Sequence, residues 1–135
     1  MTILYIDTNI FLDAIGSRKN LFGKDISTPA SKLFFRSISC EFHIIISTWT
    51  LEELYKHVDS GEIKTLFALL KRKIITANHN KSDIETAKQK SSDNFDDALH
   101  IIIAERENAD AIITRNIIHF LEIGTKIPIK KPENI

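Results

Sequence analysis

Hydrophobic residues occur along this chain in two patterns, short continuous runs and longer stretches with helical spacing. The short runs predict buried strands at about 3–6, 43–46, 74–76, 111–114 and 127–129. The stretches between them predict helices at about 10–15, 29–39, 48–58, 61–70, 82–90, 94–108 and 117–120. Strands that alternate with helices form parallel sheets covered on both faces, so we predict an α/β fold built as a parallel sandwich.

Composition narrows the class of protein. A length of 135 residues with 43% hydrophobic content suits one domain with an ordinary core, so we expect a single domain over residues 1–135. The 18 basic and 18 acidic residues balance, and any polyanion must therefore be bound locally. The single Cys40 cannot form an internal disulfide and fits a reducing cytoplasm. We also expect neither a signal peptide nor a membrane span, because the apolar runs are too short.

The first predicted strand ends in the polar triplet Asp7-Thr8-Asn9. In an open parallel sheet the carboxyl ends of the strands carry the chemistry, so a carboxylate there is placed to hold a cation or attack a substrate. The alternative is a purely structural role, since Asp, Thr and Asn are all good helix N-caps.

A second carboxylate, Asp97, lies on a partly apolar strip of the predicted helix 94–108. Burying it without a partner would cost several kcal/mol, so it must be paired, hydrogen-bonded or metal-bound. Asp93 and Asp96 lie with His100 on a polar strip of the same helix. In the first turn a carboxylate gains about 0.3–1 kcal/mol from the helix dipole, so we interpret these two aspartates as structural.

In the predicted helix after the second strand, the apolar face consists of Leu51, Leu54, Tyr55 and Val58. The same helix carries two adjacent glutamates that lie off this face. Glu53 aligns with Trp49 and His57 on a second, partly apolar strip that could line a cleft. Glu52 neighbours Lys56 as an ordinary surface pair does. Spacing favours Glu53 only weakly and leaves both glutamates open as site residues.

The strand at 111–114 ends in Thr114-Arg115-Asn116. Thr114 and Asn116 offer oxygens to a cation or its waters, and Arg115 could meet a phosphate as a bidentate donor. Asp110 opens the same strand, and four residues of extended chain place it roughly 13 Å away, at the opposite edge of the sheet. We therefore predict that Asp110 is not part of the site.

Four motifs in this order resemble the PIN domain family, and the resemblance covers essentially the whole chain. The motifs are Asp7-Thr8-Asn9, Ser47 to Leu54 with Glu53 in it, Asp97-Ala98-Leu99-His100, and Ala109 to Asn116 followed by His119-Phe120. The resemblance implies a PIN-like three-layer α/β/α sandwich with a central parallel sheet of four to five strands. It also implies a metal-dependent nuclease of the flap endonuclease-like superfamily, most often an endoribonuclease similar to the VapC toxins.

Residue roles follow from the resemblance position by position. Asp7, Glu53 and Asp97 match the family's catalytic, metal-binding acids, and Asn116 stands where a fourth aspartate is common. The remaining polar positions are candidates for positioning the substrate: Thr8, Asn9, Ser47, Thr114 and Arg115. An oxygen-only ligand set favours Mg²⁺ or Mn²⁺ over zinc. Because Asn116 is neutral, we expect a second ion to bind more weakly than the first.

The implied partners are RNA and, for a toxin, an antitoxin protein and a second copy of the chain. Helices predicted at 29–39 and 51–70 offer apolar faces for a homodimer or an antitoxin segment. Basic clusters could contact phosphate but carry no base readout. They are Arg18, Lys19 and Lys24, and Lys71-Arg72-Lys73.

Two alternative functions stay open. A haloacid-dehalogenase-type phosphatase also places an aspartate after the first strand, but Asn9 stands where its second aspartate is required. The other alternative is a PIN-like module that binds RNA or protein, with a residual metal site and little turnover.

Overall fold

Five short strands form the central sheet within the described residues, and all neighbouring pairs run parallel. They are β1 (Ile3–Ile6), β2 (His43–Ser47), β3 (Ile74–Ala77), β4 (Ala111–Ile113) and β5 (Ile129–Lys130), in the order β3-β2-β1-β4-β5. The computed structural model describes residues 1–16, 27–39 and 41–135. Arg18, Lys19, Lys24 and Cys40 therefore lie outside the described residues.

Helices connect these strands in chain order. In the described ranges they are α1 (Thr8–Gly16), α2 (Ser27–Ile38), α3 (Thr48–His57), α4 (Ser60–Leu70), α5 (Lys81–Lys90), α6 (Phe95–Arg106) and α7 (Ile117–Ile123). Ser47, rather than Thr48, caps α3, because its Oγ accepts a hydrogen bond from the Thr50 backbone N at 3.0 Å. No helix in the described part of the chain is long and apolar enough to cross a membrane.

The three inner strands, β1, β2 and β4, are buried on both faces, which is why their sequences are continuous apolar runs. In β1, Leu4 and Ile6 point into a core covered by α1, α2 and α4. Tyr5 points the other way, into a second core covered by α5, α6 and α7. The predicted α/β sandwich of three layers with parallel central strands is therefore confirmed.

The strand order creates a switch point beside β1. The chain passes from β1 to β2 and β3 in one direction, then returns through α5 and α6 to place β4 on the other side of β1. From the ends of β1 and β4, α1 and α7 lead to opposite faces of the sheet. Such a divergence opens a crevice at the carboxyl ends of the two strands. Asp7 and Thr114, which follow β1 and β4, lie in this crevice.

Three local expectations can be compared with the structure. Asp110 lies at the opposite edge as predicted, where its Oδ2 accepts a hydrogen bond from Ile3 N at 2.7 Å. Tyr55, expected on the apolar face of α3, is exposed, because that helix fully buries only Thr50 and Leu54. The last strand begins at Ile129 rather than at 127, since the preceding Pro128 has no N–H to donate to the ladder.

Candidate active site

Asp7 is the carboxylate at the centre of the crevice and is only 3% exposed. Its Oδ2 accepts a hydrogen bond from Thr114 Oγ1 at 2.8 Å, across the gap from β1 to β4. Burial raises the pKa of Asp7, and the negative charge of Glu53 adds to this rise, while His100 and Thr114 oppose it. A raised pKa means that the surroundings do not fully compensate the negative charge of this carboxylate.

Glu53 reaches the same crevice from α3. Its Oε1 accepts a hydrogen bond from Thr8 Oγ1 at 2.8 Å and lies 3.2 Å from His100 Nε2. Burial by itself would raise the pKa of Glu53, but the contacts with His100 and Thr8 outweigh it and lower the pKa. Glu52 instead points outward, 59% exposed and 3.9 Å from His79. The structure thus places Glu53, not Glu52, in the crevice.

His100 lies between the two acids and is only 1% exposed, so its expected position on a polar strip is wrong. Its Nε2 is 3.5 Å from Asp7 Oδ1 and 3.2 Å from Glu53 Oε1. Since carboxylate oxygens only accept, Nε2 carries a proton. Burial would lower the pKa of His100, but the Tyr5 oxygen and the two carboxylates raise it well above 6.5. The imidazole is therefore a source of positive charge between two acids.

A buried hydrogen-bonded chain holds His100 from behind. Tyr5, in β1, places its hydroxyl 2.6 Å from His100 Nδ1 and donates to Ser47 Oγ at 3.0 Å. Ser47 Oγ in turn donates to Thr50 Oγ1 at 3.1 Å. Ser47, a candidate for substrate positioning, therefore lies behind the imidazole and supports Tyr5. A tyrosine within a buried apolar strand requires a polar partner, and this is the signal by which the sequence could have revealed His100.

The first turn of α6 adds two aspartates. Asp97 is mostly buried, and its Oδ2 lies 3.3 Å from His119 Nδ1. Burial raises the pKa of Asp97, followed by the negative charge of Asp7. Burial and then the charge of Glu53 likewise raise the pKa of Asp96, although its side chain is exposed. Asp97 is therefore the more buried of the two aspartates in this turn.

The residues after β4 diverge from one another. Thr114 is fully buried, and its Oγ1 also accepts a hydrogen bond from the Asn116 backbone N at 3.0 Å. Arg115 turns away from the acids of the crevice: its Nε lies 3.3 Å from Asp13 Oδ2, and its NH1 lies 3.0 Å from Glu133 Oε2. The guanidinium that could meet a phosphate is thus held by two carboxylates.

Asn9 also lies apart from the central acids. It lines a cleft of about 530 Å³ between α1 and the junction of α3 with α4. Thr8, by contrast, holds Glu53 directly, so two adjacent residues of one motif have different surroundings.

A sequence comparison accords with this geometry. The sequence model of the PIN domain family matches residues 4–118, a range that includes all the acids of the crevice. The chain belongs to the PIN domain family. PIN domains are generally nucleases that bind nucleic acids and typically depend on divalent metal ions. No curated protein gives a significant match to this PIN domain.

The donor chemistry of this PIN domain fits a divalent metal. Carboxylate and amide oxygens suit Mg²⁺ or Mn²⁺, and burial together with the charge of a neighbouring acid raises the pKa of Asp7, Asp96 and Asp97. As the side chains stand, no three His, Cys, Asp or Glu groups within the described ranges already surround one ion position. Between Asp7 and Glu53, the space is taken by the His100 imidazole.

Proposed function

We propose that this PIN domain is a metal-dependent endoribonuclease whose catalytic acids are Asp7, Glu53 and Asp97. One observation supports this most strongly. Asp7 and Glu53 contact the same imidazole nitrogen, and the charge of Asp7 raises the pKa of Asp97. Acids gathered this closely repel one another, and a bound cation relieves that repulsion.

The three acids would hold Mg²⁺ or Mn²⁺, with the Asn116 amide as a neutral donor. A bound divalent ion supplies Lewis acidity toward a phosphodiester and favours hydrolysis to a 5′-phosphate and a 3′-hydroxyl. Hydrolysis to these two ends does not require a nucleophilic side chain.

The neighbouring side chains fix the acids. Thr114 donates to Oδ2 of Asp7 and orients that carboxylate across the gap between β1 and β4. Thr8 and His100 both contact Oε1 of Glu53, which leaves Oε2 for a ligand. In Asp7 and Glu53, a threonine hydroxyl thus restrains one carboxylate oxygen of each acid. Such preorganisation reduces the cost of assembling the site when the substrate binds.

The experiment that tests this proposal compares Glu53→Gln with Glu52→Gln. Protein freed of metal with EDTA is supplied with Mn²⁺ or Mg²⁺ and an unstructured single-stranded RNA. We expect metal-dependent cleavage, lowered about a hundredfold or more in Glu53→Gln and unchanged in Glu52→Gln. The products should carry 5′-phosphates. Equal losses in both variants, metal-independent cleavage, or 2′,3′-cyclic phosphate ends would each contradict the proposal.

A second candidate function is an RNA- or protein-binding module with little turnover. The observation that favours it is the position of His100, whose positive charge already offsets that of Glu53 and part of that of Asp7. RNA binding without any metal-dependent cleavage in the same experiment would support this candidate.

A narrower proposal is that this PIN domain is the toxin of a toxin–antitoxin pair, and its test concerns protein partners. Phe35 on α2 and Leu69 on α4 are large exposed apolar side chains, as a face for an antitoxin or a second copy would require. Light scattering after size-exclusion chromatography measures self-association. Co-expression with the protein of the neighbouring reading frame tests for an antitoxin, which should bind the nuclease and suppress its cleavage of RNA.

A further inference from the structure

A cleft of about 270 Å³ opens beside the acids, between α7 and the residue that follows β5. Its lining consists of Arg115, Asn116, Ile117, Ile118, His119 and Lys131. The proposed catalytic acids are absent from this lining, and Asn116, the proposed neutral donor to the metal ion, is the residue that the cleft shares with the crevice.

The cleft and the crevice share a wall. His119 contacts Asp97 through Nδ1, which leaves Nε2, at the far side of the ring, for a ligand in the cleft. Asn116 is joined through its backbone N to the Thr114 hydroxyl that holds Asp7. A polymer bound at the acids could therefore continue into the cleft without a gap.

The chemistry of the lining suits a nucleotide. The carboxylate of Glu133 is bound by Arg115 and also lies near the exposed Lys131 ammonium, which lowers its pKa. Because Arg115 keeps hold of Glu133, the Lys131 ammonium can turn toward an incoming phosphate. Ile118 is 71% exposed and offers an apolar surface against which a base can pack. Asn116 and His119 offer polar groups for a base edge. Since the whole chain has a formal net charge of zero, phosphate binding here depends on such a local cation.

We propose that this cleft is a nucleotide subsite for single-stranded RNA. Lys131 binds a phosphate next to the scissile bond, and the adjoining base packs on Ile118 with its polar edge toward His119 and Asn116. This inference rests on the proposed nuclease function and adds to it the path of the strand, from the acids across α7.

The test uses the full chain, an unstructured uridine octanucleotide and two readouts. In EDTA, fluorescence anisotropy measures RNA affinity across a salt series. Lys131→Ala should weaken binding about fivefold at low salt and lower the slope of log K against log salt by about 0.7. Ile118→Ala should weaken binding severalfold without changing that slope. With Mn²⁺, both variants should raise KM and leave kcat unchanged, as a loss of uniform binding does.

Two neighbours supply matched controls. Lys130→Ala removes the same charge one residue earlier, outside the cleft lining. Leu121→Ala shortens a similarly exposed side chain on α7, 65% accessible, that also does not line the cleft. Neither control should change RNA affinity by as much as its partner does.

The outcomes separate the two proposals. Absent cleavage together with a selective effect of Lys131 and Ile118 on binding would overturn the nuclease function and support the subsite. Normal cleavage with equal effects of Lys130→Ala and Lys131→Ala would overturn the subsite alone. No measurable RNA binding in EDTA would also overturn the subsite, whatever the cleavage assay shows.

Discussion

Two buried aspartates in one short segment of this PIN domain have opposite electrostatic surroundings. Asp7 and Asp13 are 3% and 2% exposed, and both belong to the passage from β1 through α1. Asp13 faces the guanidinium of Arg115, a fixed cation of the fold. Asp7 faces a second acid, Glu53, and shares one imidazole with it. Burial is therefore the same for both, and the charges around each carboxylate distinguish the structural acid from the proposed catalytic one.

The largest expected effect comes from neutralising the acids of the crevice. Asp7→Asn and Asp97→Asn should each lower metal-dependent RNA cleavage by about a thousandfold or more. Both variants should stay folded, and without metal be as stable or more stable, because each removes mutual repulsion. Product quantification on gels and thermal unfolding in EDTA measure the two effects.

Asp110→Asn is the control, since that carboxylate holds the Ile3 backbone N at the opposite edge of the sheet. It should leave the catalytic constant unchanged. A sharp loss of metal-free stability in both Asp7→Asn and Asp97→Asn would mean that these acids serve the fold, and the contrast with Asp13 would fail.

For Asp13, the structural acid, we expect a substitution to reduce stability rather than catalysis. Asp13→Asn removes a buried partner of Arg115, which keeps its contact with Glu133. We expect the free energy of unfolding to fall by about 1–3 kcal/mol, measured by urea denaturation in EDTA. Affinity for Mn²⁺ should not change in the folded protein. Retained stability with weakened Mn²⁺ binding would assign Asp13 to the site and erase the distinction from Asp7.

The sequence predicted the fold well because buried parallel strands and amphipathic helices are local patterns. The apolar runs at 3–6 and 43–46 coincide with β1 and most of β2. The boundary of an element differs from its prediction where a single backbone feature determines it. Pro128, just before the start of β5, is such a case. The position of Asp7 was predictable for the same reason, since it follows directly from the end of a strand.

The rest of the site depends on contacts between distant parts of the chain. Tyr5 and His100 are in contact although they are 95 residues apart in sequence, and Asp13 and Arg115 are in contact although they are 102 apart. Helical spacing cannot reveal either pair. It placed His100 on a polar strip because it contains no information about the tyrosine beneath α6. The sequence likewise leaves the choice between Glu52 and Glu53 open. The fold decides it, because Thr8 and His100 contact Glu53 and not Glu52.

That buried imidazole makes the stability of the metal-free protein depend on pH. Burial would lower the pKa of His100, but Tyr5 and the carboxylates of Glu53 and Asp7 raise it well above 6.5. A group with a raised folded-state pKa binds its proton more tightly when folded. The stability it contributes is complete below the unfolded pKa and is lost as pH rises through the folded pKa.

Urea denaturation in EDTA should therefore show stability falling as the pH rises above about 6.5, by at most about 1.4 kcal/mol per pH unit. The pKa values of Asp7 and Asp97, which are raised above the ordinary aspartate value of 3.8, make stability fall with rising pH in the same way at lower pH. His100→Gln should flatten the dependence above pH about 6.5. Stability that rises with pH in the unmodified protein would show that His100 is neutral between the acids.

The smallest expected effect concerns Asn116, at the edge between the acids and the cleft on α7. Its amide oxygen is a ligand without charge, so the crevice has one negative charge fewer than an aspartate here would give. We expect one Mn²⁺ to bind tightly and a second to bind weakly in the unmodified protein. Asn116→Asp should strengthen the second binding event, as isothermal titration calorimetry can measure. Its backbone N should still donate to Thr114 Oγ1, so the first event should change little. Two equally tight ions in the unmodified protein, or no gain in Asn116→Asp, would show that charge at this position does not govern how many ions the acids hold.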